Sequence, residues 1–248
     1  MITWKRRLAD WLASHFGLQV ARRGAAWALI EPEQLQRFFT SFKVDCVLDV
    51  GANVGQYAER LRHIGYKGLI ISFEPNPAAA NAMMKTRGGD KLWIVKQMAL
   101  DSQSRTANFN VMKSIEFSSL HEPDQSRTTA FRDENSVEQK ISLQTQTLAQ
   151  VLPALQAEFG FARPFLKMDT QGHDVAVVQG AGNQIRQFAG LQSELALTPL
   201  YQGAPTYLEA LEFYRSLGFK LSGLIPNNAG HFPDLNEVDC IMYNPEFL

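Results

Sequence analysis

From residue 44 onward, short apolar runs alternate with amphipathic stretches. The runs that predict strands lie at 44–50, 68–73, 92–97, 164–168, 191–197, 219–224 and 238–243. The stretches with helical periodicity lie between them, at 55–64, 77–86, 147–159, 174–179 and 205–217. This order is typical of a doubly wound α/β domain, in which crossover helices connect the strands of a mostly parallel sheet.

Residues 1–40 have a different pattern, since apolar side chains recur there at helical spacing, beginning with Trp4, Leu8 and Trp11. We therefore predict an N-terminal helical extension over 1–40 and a main domain over 41–248. The extension is interpreted either as a cap on the main domain or as an amphipathic helix that lies on a membrane surface or a protein partner.

A polar stretch at 114–138 interrupts the alternation within the main domain. It lies between two segments with strand-like alternation, 106–112 and 140–145. A loop of this length in a compact domain is usually functional or disordered. We predict a hairpin-like insertion whose mobile tip covers the active site.

Composition and charge narrow the class of protein. Hydrophobic residues make up 45% of the chain and charged residues 20%, which excludes global disorder. The net charge is −1, with +4 on residues 1–30 and −5 on the rest, so the catalytic part is not predicted to bind nucleic acid.

Cys46 and Cys240 lie in apolar runs and are predicted to be buried thiols. With no signal-peptide pattern, a cytoplasmic location is expected, with peripheral membrane attachment left open.

The turn after the first predicted strand has the features of a nucleotide site. Gly51 and Gly55 follow a strand that ends near Asp49, and Gly51 would let backbone approach a ligand. A dinucleotide fingerprint has Gly at the position of Asn53, and a carboxylate at Asp49 would repel a diphosphate. The sulfonium and ammonium of S-adenosylmethionine suit this acidic strand end. An NAD-dependent oxidoreductase is the weaker alternative.

A second acidic residue, Glu74, ends the next strand. A carboxylate at this place can accept hydrogen bonds from both ribose hydroxyls of a nucleoside. NAD enzymes use the same contact, so Glu74 supports a nucleoside ligand without distinguishing the two cofactors.

Candidate catalytic residues follow the fourth strand of the α/β pattern. Lys167 and Asp169 share one face of that strand, and His173 follows in the loop. Methyl transfer to an alcohol needs positioning and a base for the hydroxyl proton, for which Asp169 and His173 are the candidates. Glu194, near the end of the next strand, could contact the acceptor. Asp169 and Glu194 alone make a poor metal site, so a divalent metal is not favoured.

Together these motifs resemble the FkbM-type methyltransferases over roughly residues 44–243. The matching motifs are Asp49–Gln56, Phe73–Asn76, Ser118–Leu120, Lys167–Asp174 and Glu194 with Leu200-Tyr201. The resemblance implies a class I, Rossmann-like methyltransferase fold with seven strands. It also implies O-methylation of a small-molecule or glycan acceptor, such as a sugar or a secondary metabolite.

We predict the cofactor contacts from these motifs. They are Asp49, Gly51, Ala52, Asn53, Gly55, Gln56, Tyr57, Glu74, Pro75, Asn76, Ala99 and Leu100. Two positions depart from the family pattern: Ala149 stands where Asp is frequent, and His173-Asp174 where a small residue and Glu are usual. A methyltransferase-like binding module without activity is the alternative outside the enzymes.

Overall fold

The computed structural model describes Trp11, residues 29–124, Ser126, residues 133–226, Pro233 and residues 235–248. Its strands are β1 (Cys46–Val50), β2 (Leu69–Phe73), β3 (Trp93–Lys96), β4 (Ala99–Leu100), β5 (Thr106–Met112), β6 (Val137–Gln146), β7 (Pro164–Met168), β8 (Gly190–Ala196), β9 (Lys220–Pro226) and β10 (Glu237–Tyr243). Seven of them form one sheet in the order β3-β2-β1-β7-β8-β10-β9, and β10 runs antiparallel to both of its neighbours. The predicted doubly wound, mostly parallel seven-stranded sheet is therefore confirmed.

The helices are α1 (Ile30–Phe42), α2 (Gln56–His63), α3 (Pro77–Thr86), α4 (Leu148–Phe159), α5 (Asp174–Ala181) and α6 (Tyr207–Ser216). Local sequence explains where several begin. Asn76 caps α3 by accepting a hydrogen bond from the backbone of Ala78, and Pro77 occupies the first helical position. Thr147 and Thr206 form capping boxes at the starts of α4 and α6.

The central strands β1, β2 and β7 are buried along their whole length. Apart from the buried Asp49, Ser72 and Lys167, they are apolar in sequence because helices cover both faces of the sheet. One face packs against α4, α5 and α6, and the other against α1 and α2. Phe38 and Phe39 of α1 contact Phe165 of β7, and Phe42 stacks on Phe38, so α1 is part of the core.

The N-terminal extension is described only in part. Its last helix, α1, crosses the predicted boundary at residue 40 and packs on the sheet, while residues 1–10 and 12–28 lie outside the described residues. The division into extension and domain therefore stays a prediction. Within the part of the chain that the structure describes, no helix combines the length and the hydropathy needed to cross a membrane.

The predicted insertion is a hairpin that belongs to a second, smaller sheet. Strands β5 and β6 pair antiparallel, and β4 joins β6 in parallel to give the order β4-β6-β5. The sequence did not indicate β4, which has only two residues. Most of the tip, residues 125 and 127–132, lies outside the described residues.

Candidate active site

A cavity of about 290 Å³ opens at the carboxyl ends of β1 and β7. The chain order of the strands reverses between these two neighbours, which is where open α/β sheets bind ligands. The volume lies at the lower end of the range of small-molecule sites. The predicted residues that line it are Gly51, Ala52, Asn53, Gln56, Tyr57, Glu74, Pro75, Ala99, Leu100, Lys167, Asp169, His173 and Glu194.

The turn after β1 is held by backbone hydrogen bonds. The N–H groups of Gly51 and Ala52 both donate to the carbonyl of Phe73, at 3.0 and 3.1 Å. Gly51 has φ +75°, and a Cβ there would come within 1.9 Å of the carbonyl oxygen of Asp169. The structural reason for this glycine is therefore the close approach of the loop after β7, and not only access for a ligand.

Three predicted cofactor residues lie behind the cavity wall. Gly55 has φ +94°, and a Cβ there would fall 2.6 Å from the ring of Trp93, so Gly55 serves helix packing. Asn76 is buried as the cap of α3. Asp49 is fully buried, accepts a hydrogen bond from Ser72 at 3.1 Å and lies 3.2 Å from Lys167. Their effect on the cofactor would be indirect, through the residues that they hold.

Glu74 joins the two turns of this site. One carboxylate oxygen accepts the backbone N–H of Asn53 and the other that of Asn76, each at 2.8 Å. Burial raises the pKa of Glu74 to about 7, although the hydrogen bonds from Asn76 and Asn53 act in the opposite direction. Each oxygen can still accept a hydrogen bond from a ribose hydroxyl, because it has a further lone pair. Glu74 thus suits the predicted ribose contact and also orders the turn.

We expect binding of S-adenosylhomocysteine to weaken as the pH falls through 7. Hydroxyl donors favour the ionised carboxylate, whereas the empty site holds Glu74 half protonated near pH 7. A ligand that needs the ionised form must expel that proton, so the dissociation constant should rise about tenfold from pH 8 to pH 6. Calorimetric titrations across this window measure the effect, and a dissociation constant that does not change with pH would contradict it.

Lys167 lies between two carboxylates beneath the cavity. Its Nζ is 3.2 Å from Asp49 and 3.6 Å from Asp169, and it lies 5.0 Å from the centre of the Tyr57 ring. Burial lowers the pKa of Lys167, but the charges of Asp49 and then Asp169 outweigh burial and raise it above its ordinary value. Lys167 is therefore a fixed cation, and its nearer partner is Asp49 rather than the Asp169 expected from spacing.

The carboxylate of Asp169 faces the cavity, and a hydrogen bond from Gln171 fixes its orientation. Gln171 donates from Nε2 to Asp169 at 3.1 Å and to Glu194 at 2.9 Å, so one amide bridges the two acids. The Asp169 side chain is 40% exposed. Burial, followed by the charges of Asp169 and Glu237, raises the pKa of Glu194 well above its ordinary value. Asp169 and Glu194 are thus held next to each other at the cavity by the same amide.

His173 has both ring nitrogens engaged. Nε2 lies 2.9 Å from Asp101, and Nδ1 lies 3.1 Å from Nε2 of His121. Arg105 also binds Asp101, at 2.8 Å; burial raises the pKa of Asp101, but the hydrogen bonds from His173 and Arg105 hold it below its ordinary value. Burial and then the neighbouring His173 lower the pKa of His121 to about 4. This geometry favours a positioning role for His173 over that of the base.

Residues 113–124, here called the cover segment, close one side of the cavity. Ile115, Glu116, Phe117, Ser118 and Leu120 of this segment line it. The segment is fastened to the main domain where Tyr201 donates to the carbonyl of Phe117 at 2.7 Å and Ser119 donates to that of Gln171 at 2.9 Å. Residues of the insertion therefore line the site, whereas the prediction that its mobile tip covers the site falls mostly outside the described residues. Ser118 lines the cavity, whereas Ser119 and Tyr201 hold the cover segment.

Several residues that line the cavity were not predicted from the sequence, because they come from distant parts of the chain. They include Glu31 of α1, Arg60 of α2, Gln192 of β8, and Glu237 and Asp239 of β10. Polar residues inside an otherwise apolar strand, as at Gln192 and Asp239, are a signal that could have indicated them. Among the described residues, no group of three or more His, Cys, Asp or Glu side chains could hold a metal ion.

Comparisons with known proteins assign the chain to a family. A family model described as the methyltransferase FkbM domain matches residues 49–221. Magnesium protoporphyrin IX methyltransferase from Synechocystis PCC 6803 with bound SAM shares 9% identity, with 98% of each chain covered and a TM-score of 0.46. Fibrillarin from Aeropyrum pernix with bound S-adenosyl-L-methionine shares 11% identity, with 80% of this chain and 66% of that chain covered and a TM-score of 0.43. A search of curated proteins found no match. Because the family model spans more than half of the sequence, the chain belongs to the FkbM methyltransferase family, whose members are S-adenosylmethionine-dependent methyltransferases.

Proposed function

We propose that this enzyme transfers the methyl group to a hydroxyl of a small-molecule or glycan acceptor, with Asp169 as the base. The observation that carries the proposal is the difference between the surroundings of Asp169 and those of His173. The carboxylate of Asp169 is exposed to the cavity, whereas both ring nitrogens of His173 have partners within 3.1 Å. An alcohol must lose its proton as the new bond to carbon forms, and Asp169 is placed to accept it.

The residues around the cavity fit S-adenosylmethionine. Glu74 offers carboxylate oxygens for the ribose, and the apolar side chains of Ala99, Leu100, Ile115 and Phe117 line the same cavity and suit a flat base. The acidic lining suits a cationic methionine end. When bound, the cofactor supplies an electrophilic methyl group, and this chain's residues orient the acceptor and exclude water from it.

Lys167 and Gln171 prepare Asp169 for this role. Gln171 donates to one carboxylate oxygen at 3.1 Å and Lys167 lies 3.6 Å from the other, so the carboxylate is held in one orientation. Asp174 holds the loop that carries them, because it accepts hydrogen bonds from the backbone of Thr170 at 2.9 Å and from Ser193 at 2.7 Å. These hydrogen bonds therefore hold the loop after β7 in a fixed conformation at the cavity before the acceptor binds.

The test is an acceptor screen with methyl-labelled cofactor, followed by identification of the methylated atom by NMR. We expect label in a methyl ether of a polyhydroxylated acceptor. Label on nitrogen, carbon or sulfur, or transfer that Asp169→Asn leaves at the wild-type rate, would contradict the proposal. The cytoplasm is the proposed site of action.

A further inference from the structure

One wall of the cavity is a continuous chain of hydrogen-bonded side chains, here called the acceptor wall: Glu31, Tyr57, Arg60 and Gln192. Tyr57 donates its hydroxyl to Gln192 at 2.8 Å, and Gln192 donates its amide to Glu31 at 2.8 Å. Arg60 pairs with the second oxygen of Glu31. All four side chains line the cavity. The first turn of α1 is thereby joined to α2 and β8 at the site itself.

The acceptor wall is centred on Gln192 of β8, away from Glu74, although Tyr57 was also predicted as a cofactor contact. Lys167 of β7 pairs in register with Gln192 of β8, whereas Glu74 follows β2 on the other side of β1. A nucleoside held at Glu74 leaves the ends of β7, β8 and β10 to the acceptor. The acceptor wall is therefore placed to contact the second substrate.

Carboxyl groups outnumber cations on this side of the cavity. Among the described lining residues there, the cations are Lys167 and Arg60. The acids are Glu31, Asp169, Glu194, Glu237 and Asp239. Burial, followed by the charge of Glu31, raises the pKa of Asp239 well above its ordinary value. The empty cavity thus contains more carboxyl groups than its own cations balance.

We propose that Glu31 is a specificity-determining residue, and that the acceptor wall selects polyhydroxylated acceptors carrying an ammonium group over neutral or anionic ones. The inference rests on the proposed function, since it assigns the class of acceptor. An ammonium group offers three donors, and Glu31 together with the other carboxyl groups on this side of the cavity can accept hydrogen bonds. An acceptor carboxylate or phosphate would meet like charges in a partly desolvated site.

The position of Glu31 in the chain supports a role in specificity. The family model matches residues 49–221, whereas Glu31 precedes that range and Glu237 and Asp239 follow it. The nucleoside contacts and the proposed base lie inside the matched range. The acids on this side of the cavity are thus drawn partly from sequence outside the matched domain.

The test compares three matched hexoses, D-glucosamine, D-glucose and D-glucuronate, on full-length protein saturated with S-adenosylhomocysteine. Ligand-observed NMR gives their dissociation constants. We expect glucosamine to bind most tightly and glucuronate at least about tenfold more weakly. Glu31→Gln, which keeps an oxygen for Gln192, should reduce the ratio of glucosamine to glucuronate affinity about fivefold.

Glu33→Gln is the matched control. Glu33 lies two residues along the same helix, is 48% exposed and pairs with Arg37 at 3.1 Å, so the affinity ratio should stay at the wild-type value. Asp239→Asn is a second variant, in case Glu31→Gln does not fold. The proposal is overturned if glucuronate binds as well as glucosamine, if none of the hexoses binds, or if the folded Glu31 and Asp239 variants keep the wild-type ratio. Absence of S-adenosylhomocysteine binding would instead contradict the proposed function.

Discussion

Asp169→Asn is expected to lower turnover about 100-fold or more while leaving the affinity for S-adenosylhomocysteine within a few-fold. Asparagine has nearly the same size and can still accept the hydrogen bond from Gln171. Lys167 keeps its nearer partner Asp49, at 3.2 Å, so its buried charge remains paired. What the variant loses is a carboxylate that faces the cavity and can accept a proton.

Separate measurements of turnover and affinity decide this prediction. Turnover comes from transfer of labelled methyl to the acceptor found in the screen, and affinity from calorimetry. A parallel loss of both would make Asp169 a cofactor or folding residue. If neither changed, the contacts among Lys167, Asp169 and Gln171 would be structural, and Glu194 would be the next residue to replace.

Gly51→Ala is expected to destabilise the fold by about 3 kcal/mol or more. The added Cβ would lie 1.9 Å from the carbonyl oxygen of Asp169, which is backbone and cannot rotate away. Crowding of a packed site costs about 1–3 kcal/mol, and a positive φ costs a residue with a side chain about 1–2 kcal/mol more. The loop that carries Asp169 would be displaced, so affinity and turnover should also fall.

Gly65→Ala separates these two costs. Gly65 has φ +90°, but a Cβ there would meet nothing within 4 Å. It should therefore lose only the conformational part, about 1–2 kcal/mol. Urea unfolding of both variants measures the difference, and equal losses would show that the contact with Asp169 relaxes without cost.

Sequence pattern predicted the elements whose cause is local. The strands β1, β2 and β7 are buried on both faces and appear as short, mostly apolar runs. Helix α3 begins where Asn76 and Pro77 require it to begin. The helix α5 extends to Ala181, past the break expected at Gly180, because only Gly182 leaves the helical conformation, with φ +52°.

Contacts between distant segments could not be read from spacing. Lys167 and Asp169 share a strand face, yet the register of β1 on β7 brings Asp49 closer to the lysine. His173 was predicted as a candidate base, but its two partners, Asp101 and His121, lie 72 and 52 residues away in the chain. Pairing between strands and the docking of the cover segment determine these contacts, and neither is visible in a local pattern.

The central claim is that the cofactor occupies the cavity at the β1–β7 edge and is held there by Glu74. Calorimetric titration of S-adenosylhomocysteine into wild type, Glu74→Gln and Glu59→Gln tests it most directly, since Glu59 is an exposed acid on the neighbouring helix α2. We predict binding by wild type and by Glu59→Gln, affinity at least about tenfold weaker in Glu74→Gln, and loss of the pH dependence in that variant. Wild-type protein that does not bind the ligand, or a folded Glu74→Gln variant that binds it with unchanged affinity and pH dependence, would contradict the account.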